Sequence, residues 1–285
     1  MIGPASYLHR RARQGIVRRV EALFNDQAHG ERPVARSDAA LFDSASPIWR
    51  VHGDVTTMLI GGVSALLLQM LHPAVLAGVW DHSDFRADML GRLRRTARFV
   101  AITTYGDRAE AAAAIAHVRA IHARVTGVLS DGTRYRADDP DLLGWVHVTE
   151  AWSFLAAWQR YGGRRLSRTE ADLYCADFAV IGRALGATPL PTDTAGTDRA
   201  LQARRPQLIA DDRAREVARL VLGHMPDNPL AIPLQRVTMQ AAVDLLPAWA
   251  RRMHGLPASP SLARPLISTG ALGLATTLRW AFGDL

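Results

Sequence analysis

Residues 58 to 80 run from Met58 to Trp80, about 23 positions, without a single charge. That is long enough to cross a bilayer. The run nevertheless carries Gly61-Gly62 near its start and Gln69, His72 and Pro73 in its middle. Buried polar side chains need partners, and a mid-run proline breaks a helix. The expectation is a buried central helix, broken near Pro73, around which the rest of the chain packs.

The remainder reads as helix almost throughout. Residues 15–28 place Ile16, Val17, Val20, Leu23 and Phe24 on one face with Arg18, Arg19 and Glu21 opposite. Such a helix caps a core or lies on a membrane surface. Residues 30–47 read as a connecting loop. After a His82-Ser83-Asp84 capping turn, a helix is expected from Asp84 to Tyr105, with Gly106 as its stop. The next runs over 107–127. The Asp131-Gly132 pair then marks a turn or a small hairpin. Asp138-Asp139-Pro140 opens a helix to Tyr161, and Ser167 with Glu170 forms a capping box that opens another to Leu185. Residues 187–197 are rich in Pro, Thr and Gly, and further helices follow. With no strand-like alternation, the expected fold is all-α. A segment over 1–40, the amphipathic helix and its linker, precedes a helical domain over 41–285.

Composition narrows the function. The chain has 285 residues, 48% hydrophobic and 21% charged, which is globular. Its single cysteine, Cys175, excludes an intrachain disulfide and a cysteine-built zinc or iron–sulfur site, so a reducing compartment is expected. All 34 basic residues are arginine, which excludes Schiff-base lysine chemistry and a Walker A lysine. The net charge of +7 comes from arginines scattered among 27 acids, so nucleic acid is not an expected partner. The opening residues carry no apolar stretch before their basic cluster, so a cytoplasmic location is expected, with peripheral membrane contact left open. No HExxH, GxSxG, P-loop or strand-borne GxGxxG is present.

Several polar residues occupy unusual positions. His117 is flanked in helical register by Ala113, Ala114 and Ala120. A ring of small side chains around an imidazole leaves room for a macrocycle whose iron the imidazole ligates, or for close helix packing. His122 lies about 140° further round the same helix, on a stripe with Val118, Val125 and Leu129. His147 and Glu150 share a face, as one half of a metal site or as a buried hydrogen-bonded pair. Arg92, Arg95, Thr96 and Phe99 form one face that suits anionic groups or a polar oxygen species. Gln69 and His72 stand within the apolar run and require partners.

The order of these motifs is more telling than any one of them. Gly61-Gly62, Gln69, His72-Pro73, Arg92 with Thr96, His117-Val-Arg119 with His122, and Tyr135 through Asp139-Pro140 to Trp145-Val-His147 together resemble the MpaB/latex-clearing-protein superfamily of oxygenases, over roughly residues 45–260. The resemblance implies a globin-like helical core, bound haem b, and dioxygen-dependent cleavage of double bonds in isoprenoid chains. It implies His117 as the iron ligand and places Arg92 and Thr96 at the haem pocket. Arg95 falls where the rubber-cleaving enzymes have a lysine, and no glutamate matches their base. His122, His147, Gln69 and His72 are then expected to line or orient the cofactor pocket. The expected function is a haem b-dependent oxygenase acting with O2 on a hydrophobic, unsaturated substrate. The alternatives are a non-catalytic haem or lipid binder, and a non-haem iron enzyme built on His147 and Glu150.

Overall fold

The computed structural model describes residues 30–225, 231–260 and 263–282, with 11, 13–18, 21 and 25. Most of the helix expected over 15–28 lies outside the described residues. The first complete helix is α1 (Pro47–His52), and α2 (Val55–Gln69) follows with Asp54 as its cap. The Asp54 carboxylate accepts from Thr57 N–H at 2.9 Å, meeting one of the unsatisfied donors of a helix start.

The apolar run breaks as the sequence suggests. Helix α2 ends at Gln69, and α3 (Pro73–His82) begins with Pro73 in its first turn, where a missing N–H costs nothing. The two helices are bent by 106° at the break, and among the described residues no single helix is long and apolar enough to cross a membrane. The carbonyl of buried Leu71 in the break accepts from Ile209 N–H at 2.8 Å.

Helix α2 is the core. It is buried on nearly all sides, from Ile60 through Gln69. It packs most extensively on the long helix α6 (Pro140–Tyr161), and also on α10 (Ile232–Leu245) and α12 (Ala263–Phe282). Asp54 uses its second oxygen to accept from Arg279 of α12, at 2.5 Å, and the same guanidinium donates to the carbonyl of Tyr161 that ends α6. One buried carboxylate thus joins the ends of three helices.

The outer helices are set by local caps. Helix α4 (Met89–Tyr105) starts later than expected, because Asp88 accepts from Gly91 N–H and begins the helix there. Helix α5 (Arg108–His122) ends five residues short of the expected Gly127. The chain turns instead into an antiparallel hairpin, β1 (Thr126–Val128) with β2 (Arg134–Arg136). Gly127 stands opposite Tyr135, whose hydroxyl lies 2.5 Å from where a Cβ would be, so only glycine fits under that ring. The capping box at Ser167 and Glu170 is formed, and α7 (Arg168–Leu185) ends on Gly186 at φ +106°. The Pro/Thr/Gly-rich stretch after it leads into α8 (Thr194–Ala203), which packs on α6 and α7. A 3₁₀ turn at Arg205–Gln207, α9 (Asp212–Gly223), α10, the short α11 (Ala248–Met253) and α12 complete the described chain.

The contact of α2 with α6 is close enough to require glycine at one position and not at its neighbour. A Cβ on Gly61 would lie 2.8 Å from Phe154 Cδ1 and 3.0 Å from Ser153 O, whereas one on Gly62 meets nothing nearer than 3.8 Å. Replacing glycine by alanine inside a helix gains about 1 kcal/mol of propensity. Overpacking against backbone costs about 1–3 kcal/mol. Gly62→Ala is therefore expected to raise the urea midpoint, and Gly61→Ala to lower it. Two variants shifted in the same direction would contradict this account of the crossing.

Candidate functional site

Helices α4 and α5 form a pair on either side of the Gly106–Asp107 corner. Arg92 is half-buried and donates to Ser83 Oγ at 2.9 Å. Burial, with Arg95 close by, lowers its pKa from the ordinary arginine value. Arg95 is exposed and pairs with Asp88 at 3.1 Å. Thr96 is exposed and donates to the carbonyl of Arg92. Phe99 packs beside the cluster that contains Trp158 and Phe154. The expected arginine–threonine face therefore exists, turned largely toward solvent.

His117 is also exposed, and so are Ala113 and Ala120. The small residues around it do not enclose a void among the described residues, which corrects the expectation of a walled pocket. The reason is that α5 is an edge helix, with only Ala111 and Ile115 fully buried. Its other side forms an apolar groove of about 490 Å³ against α7, lined by Ala112, Ile115 and Ala116 facing Val180, Ile181 and Ala184. Arg119 at the rim donates to Ala184 O at 3.2 Å. At roughly 100° per residue, His117 projects from the side of α5 away from this groove.

His122, at the end of α5, is half-buried, and its Nδ1 is buried without a hydrogen-bond partner among the described residues. Burial lowers its pKa, opposed by Asp138 nearby. Val125 and Leu129, just beyond, pack on Ala74, Ala77 and Tyr135. His72, the cap of α3, is in the same condition: half-buried, with an unpartnered Nδ1 and a pKa lowered first by burial and then by Arg204.

Gln69, Glu150 and His147 belong to the interior. Gln69 Nε2 donates to Glu150 Oε1 at 3.4 Å, so the amide in the apolar run does have a partner. Enclosure by protein pushes the Glu150 carboxyl up to about 7, against the opposing pull of that bond. His147 does not join Glu150. Its ring stacks on Phe178 at 4.4 Å and fills the space over Gly182, where a Cβ would lie 2.7 Å from Nδ1. Burial holds this imidazole neutral, with its pKa down to about 3. Among the described residues no group of three or more His, Cys, Asp or Glu could hold a metal ion, so the non-haem site expected as an alternative on His147 and Glu150 is not assembled.

A second interior cluster escaped the sequence reading. His52 Nδ1 lies 2.8 Å from Thr104 Oγ1, and His52 Nε2 lies 3.2 Å from Tyr174 OH. Thr104 spends its only proton on Val100 O at 2.7 Å, so it must accept from Nδ1–H. Burial lowers the His52 pKa to about 3, and the neutral ring then leaves Nε2 to accept from the Tyr174 hydroxyl. The signal was present, since His52 continues the apolar stripe of Ile48 and Val51 on α1.

Comparison with known families settles the assignment of the chain. The family described as "ER-bound oxygenase mpaB/B'/Rubber oxygenase, catalytic domain" matches residues 49–280. The chain belongs to this family. No curated protein matches it, and no solved structure matches it. The match spans every element from α1 to α12, so the helices built around α2 are the oxygenase domain itself. The protein is accordingly an oxygenase, an oxidoreductase acting on a hydrophobic substrate.

The Glu150 carboxyl yields a pH test. Its folded-state pKa is raised, so its neutral form favours the fold below the unfolded value of 4.5, and that contribution is lost as pH rises through about 7. The lowered pKa values of His52 and His147 act oppositely, removing stability as pH falls below 6.5. Comparing Glu150→Gln with the parent isolates the carboxyl. Urea unfolding at pH 5 and pH 8 is expected to show the variant gaining stability relative to the parent at the higher pH. An unchanged difference would mean that Glu150 is ionised without penalty.

Proposed function

We propose that this oxygenase depends on haem b and uses dioxygen on an unsaturated, isoprenoid- or lipid-like substrate, with the axial imidazole drawn from α5. The observation that carries the reading is the family match over residues 49–280. Two histidines on α5 compete for the axial role. The motif resemblance implies His117, whose exposed ring has free access but no opposing wall among the described residues. His122 offers the better donor. Burial keeps it neutral, which is the ligating form of imidazole. A buried ring nitrogen without a partner is costly unless a bound group reorganises its surroundings. On that ground the residues fit a group held from His122 rather than from His117.

When bound, haem supplies dioxygen activation. The chain's own residues supply binding and orientation. The apolar groove between α5 and α7 has the size of a small-ligand site and suits a hydrocarbon chain. Arg92 and Thr96, on the helix packed beside α5, are suited to bind carboxylates or orient a polar oxygen. An arginine at position 95 is poorly suited to serve as a base. That last point favours a second reading, a haem or lipid binder without turnover. A cytoplasmic location, with peripheral membrane contact at most, belongs to the same proposal. It is supported by the bent α2–α3 run and the single buried cysteine.

The test is an absorption spectrum with a pyridine haemochrome assay on the parent, His117→Ala and His122→Ala, each purified with adequate haem supply. The expected result is a Soret band in the parent that is lost in His122→Ala and kept in His117→Ala. The reverse pattern would return the axial role to His117. A parent without haem after reconstitution would overturn the cofactor. Dioxygen uptake with a short polyisoprene or an unsaturated fatty acid then separates the oxygenase from the non-catalytic binder.

A further inference from the structure

A cleft of about 690 Å³ opens at the end of the molecule formed by α8, the 3₁₀ turn and α11. One wall is Gln202, Arg205 and Pro206. The other is Trp249, Arg252 and Met253, which stand at i, i+3 and i+4 on one face of α11. None of these residues belongs to α4 or α5, and no motif of the sequence reading used them.

The charges in this cleft are unbalanced. Arg204, next in sequence to Arg205, is held by Asp141. Arg205 reaches only the side-chain oxygen of Gln202, at 3.4 Å, and the face of Trp249, 5.3 Å from its ring centroid. Arg252 has no hydrogen-bond or ion-pair partner for its side chain among the described residues. Two exposed arginines therefore line one cleft, and among the described residues neither is paired with a carboxylate. Like charges held near each other raise the affinity of the space between them for an anion. The planar guanidinium fork matches the two oxygens of a carboxylate.

Apart from Gln202, the rest of the lining is apolar. Trp249 is 8% exposed and belongs to the main core cluster. Its indole Nε1 is buried without an acceptor among the described residues, and its ring forms part of the wall of the cleft. Met253 and Pro206 complete the lining, and a thioether adapts to ligands of varied shape. The volume lies within the range of small-molecule sites. The rim is also firmly based. His254, next to Met253, has its Nε2 2.8 Å from Leu67 O in the central helix, which fixes the end of α11 against α2.

We infer that this cleft is a binding site for a small hydrophobic carboxylate, its acid group between Arg205 and Arg252 and its apolar body on Trp249, Met253 and Pro206. The site stands independently of the haem proposal, because neither its residues nor its test involves α5 or turnover.

Calorimetric titration of the full-length protein with octanoate, 1-octanol and inorganic phosphate tests it. Octanoate is expected to bind saturably at one site, with 1-octanol at least about tenfold weaker, because the charged head carries the difference. Arg252→Gln and Arg205→Gln are each expected to weaken octanoate by about tenfold. Arg219→Gln, an exposed arginine on α9 paired with Glu216, is expected to leave it unchanged. Equal affinity for octanol, or octanoate binding insensitive to both cleft variants, would overturn the proposal. Phosphate binding as tightly as octanoate would overturn the amphiphile class and leave a general anion site. No saturable binding by any probe would overturn the site itself.

Discussion

The packing of α2 on α6 holds the rest of the structure in register. At Gly61 the helices approach until Phe154 and the carbonyl of Ser153 occupy the space a side chain would take. Seven residues earlier on α2, Asp54 meets the guanidinium that also holds Tyr161, seven residues beyond Phe154 on α6. Further along α2, Gln69 reaches back to Glu150. The three contacts run in opposite directions along the two helices, as an antiparallel pair requires. A slip of one residue would break all three at once. Close packing at the centre and charge-assisted bonds at the end therefore specify one register, and the buried Gln69–Glu150 pair inherits its position from it.

Much of this frame was legible because it is local. Asp107, Asp139 and Ser167 each cap a helix where the sequence suggests, and each does so with a side chain that reaches a backbone N–H two or three residues on. Pro73 breaks the apolar run for a reason contained in its own ring. The shortened α5 was less legible, because its end depends on Gly127 accepting the ring of Tyr135 across a hairpin. That contact joins residues from two strands and leaves only a single Asp-Gly turn as its trace in the sequence.

The candidate site was harder to read than the fold. His52, Thr104 and Tyr174 come from three helices and meet only in the folded chain. The orientation of α5 was ambiguous for another reason. A helix with Ala109, Ala111, Ala112, Ala113, Ala114, Ala116 and Ala120 has almost no contrast between its faces. Alanine is at home in a core and at a surface, so periodicity does not say which side is buried. The sequence put His117 inside on the strength of its alanine neighbours, whereas the fold buries Ala111 and Ile115 instead.

That ambiguity bears on function. Each buried methylene contributes about 0.8 kcal/mol, and α5 buries few of them, so it contributes little to the core that α2 and α6 build. Between its charged residues Arg108, Glu110 and Arg119, its surface is nonetheless built largely from alanine. On one side it forms a groove with α7, on another it exposes Ala113, His117 and Ala120, and at its end it carries a neutral imidazole with an unpaired nitrogen. A helix that adds little to stability yet keeps small apolar side chains along three turns is explained by what it presents rather than by what it packs. The interior of this oxygenase domain is already filled by α2, Phe154 and Phe178, which is why the proposed substrate site is the peripheral groove between α5 and α7. The rigid α2–α6 pair supplies the frame, and α5, the least buried of its long helices, carries the proposed ligand surface.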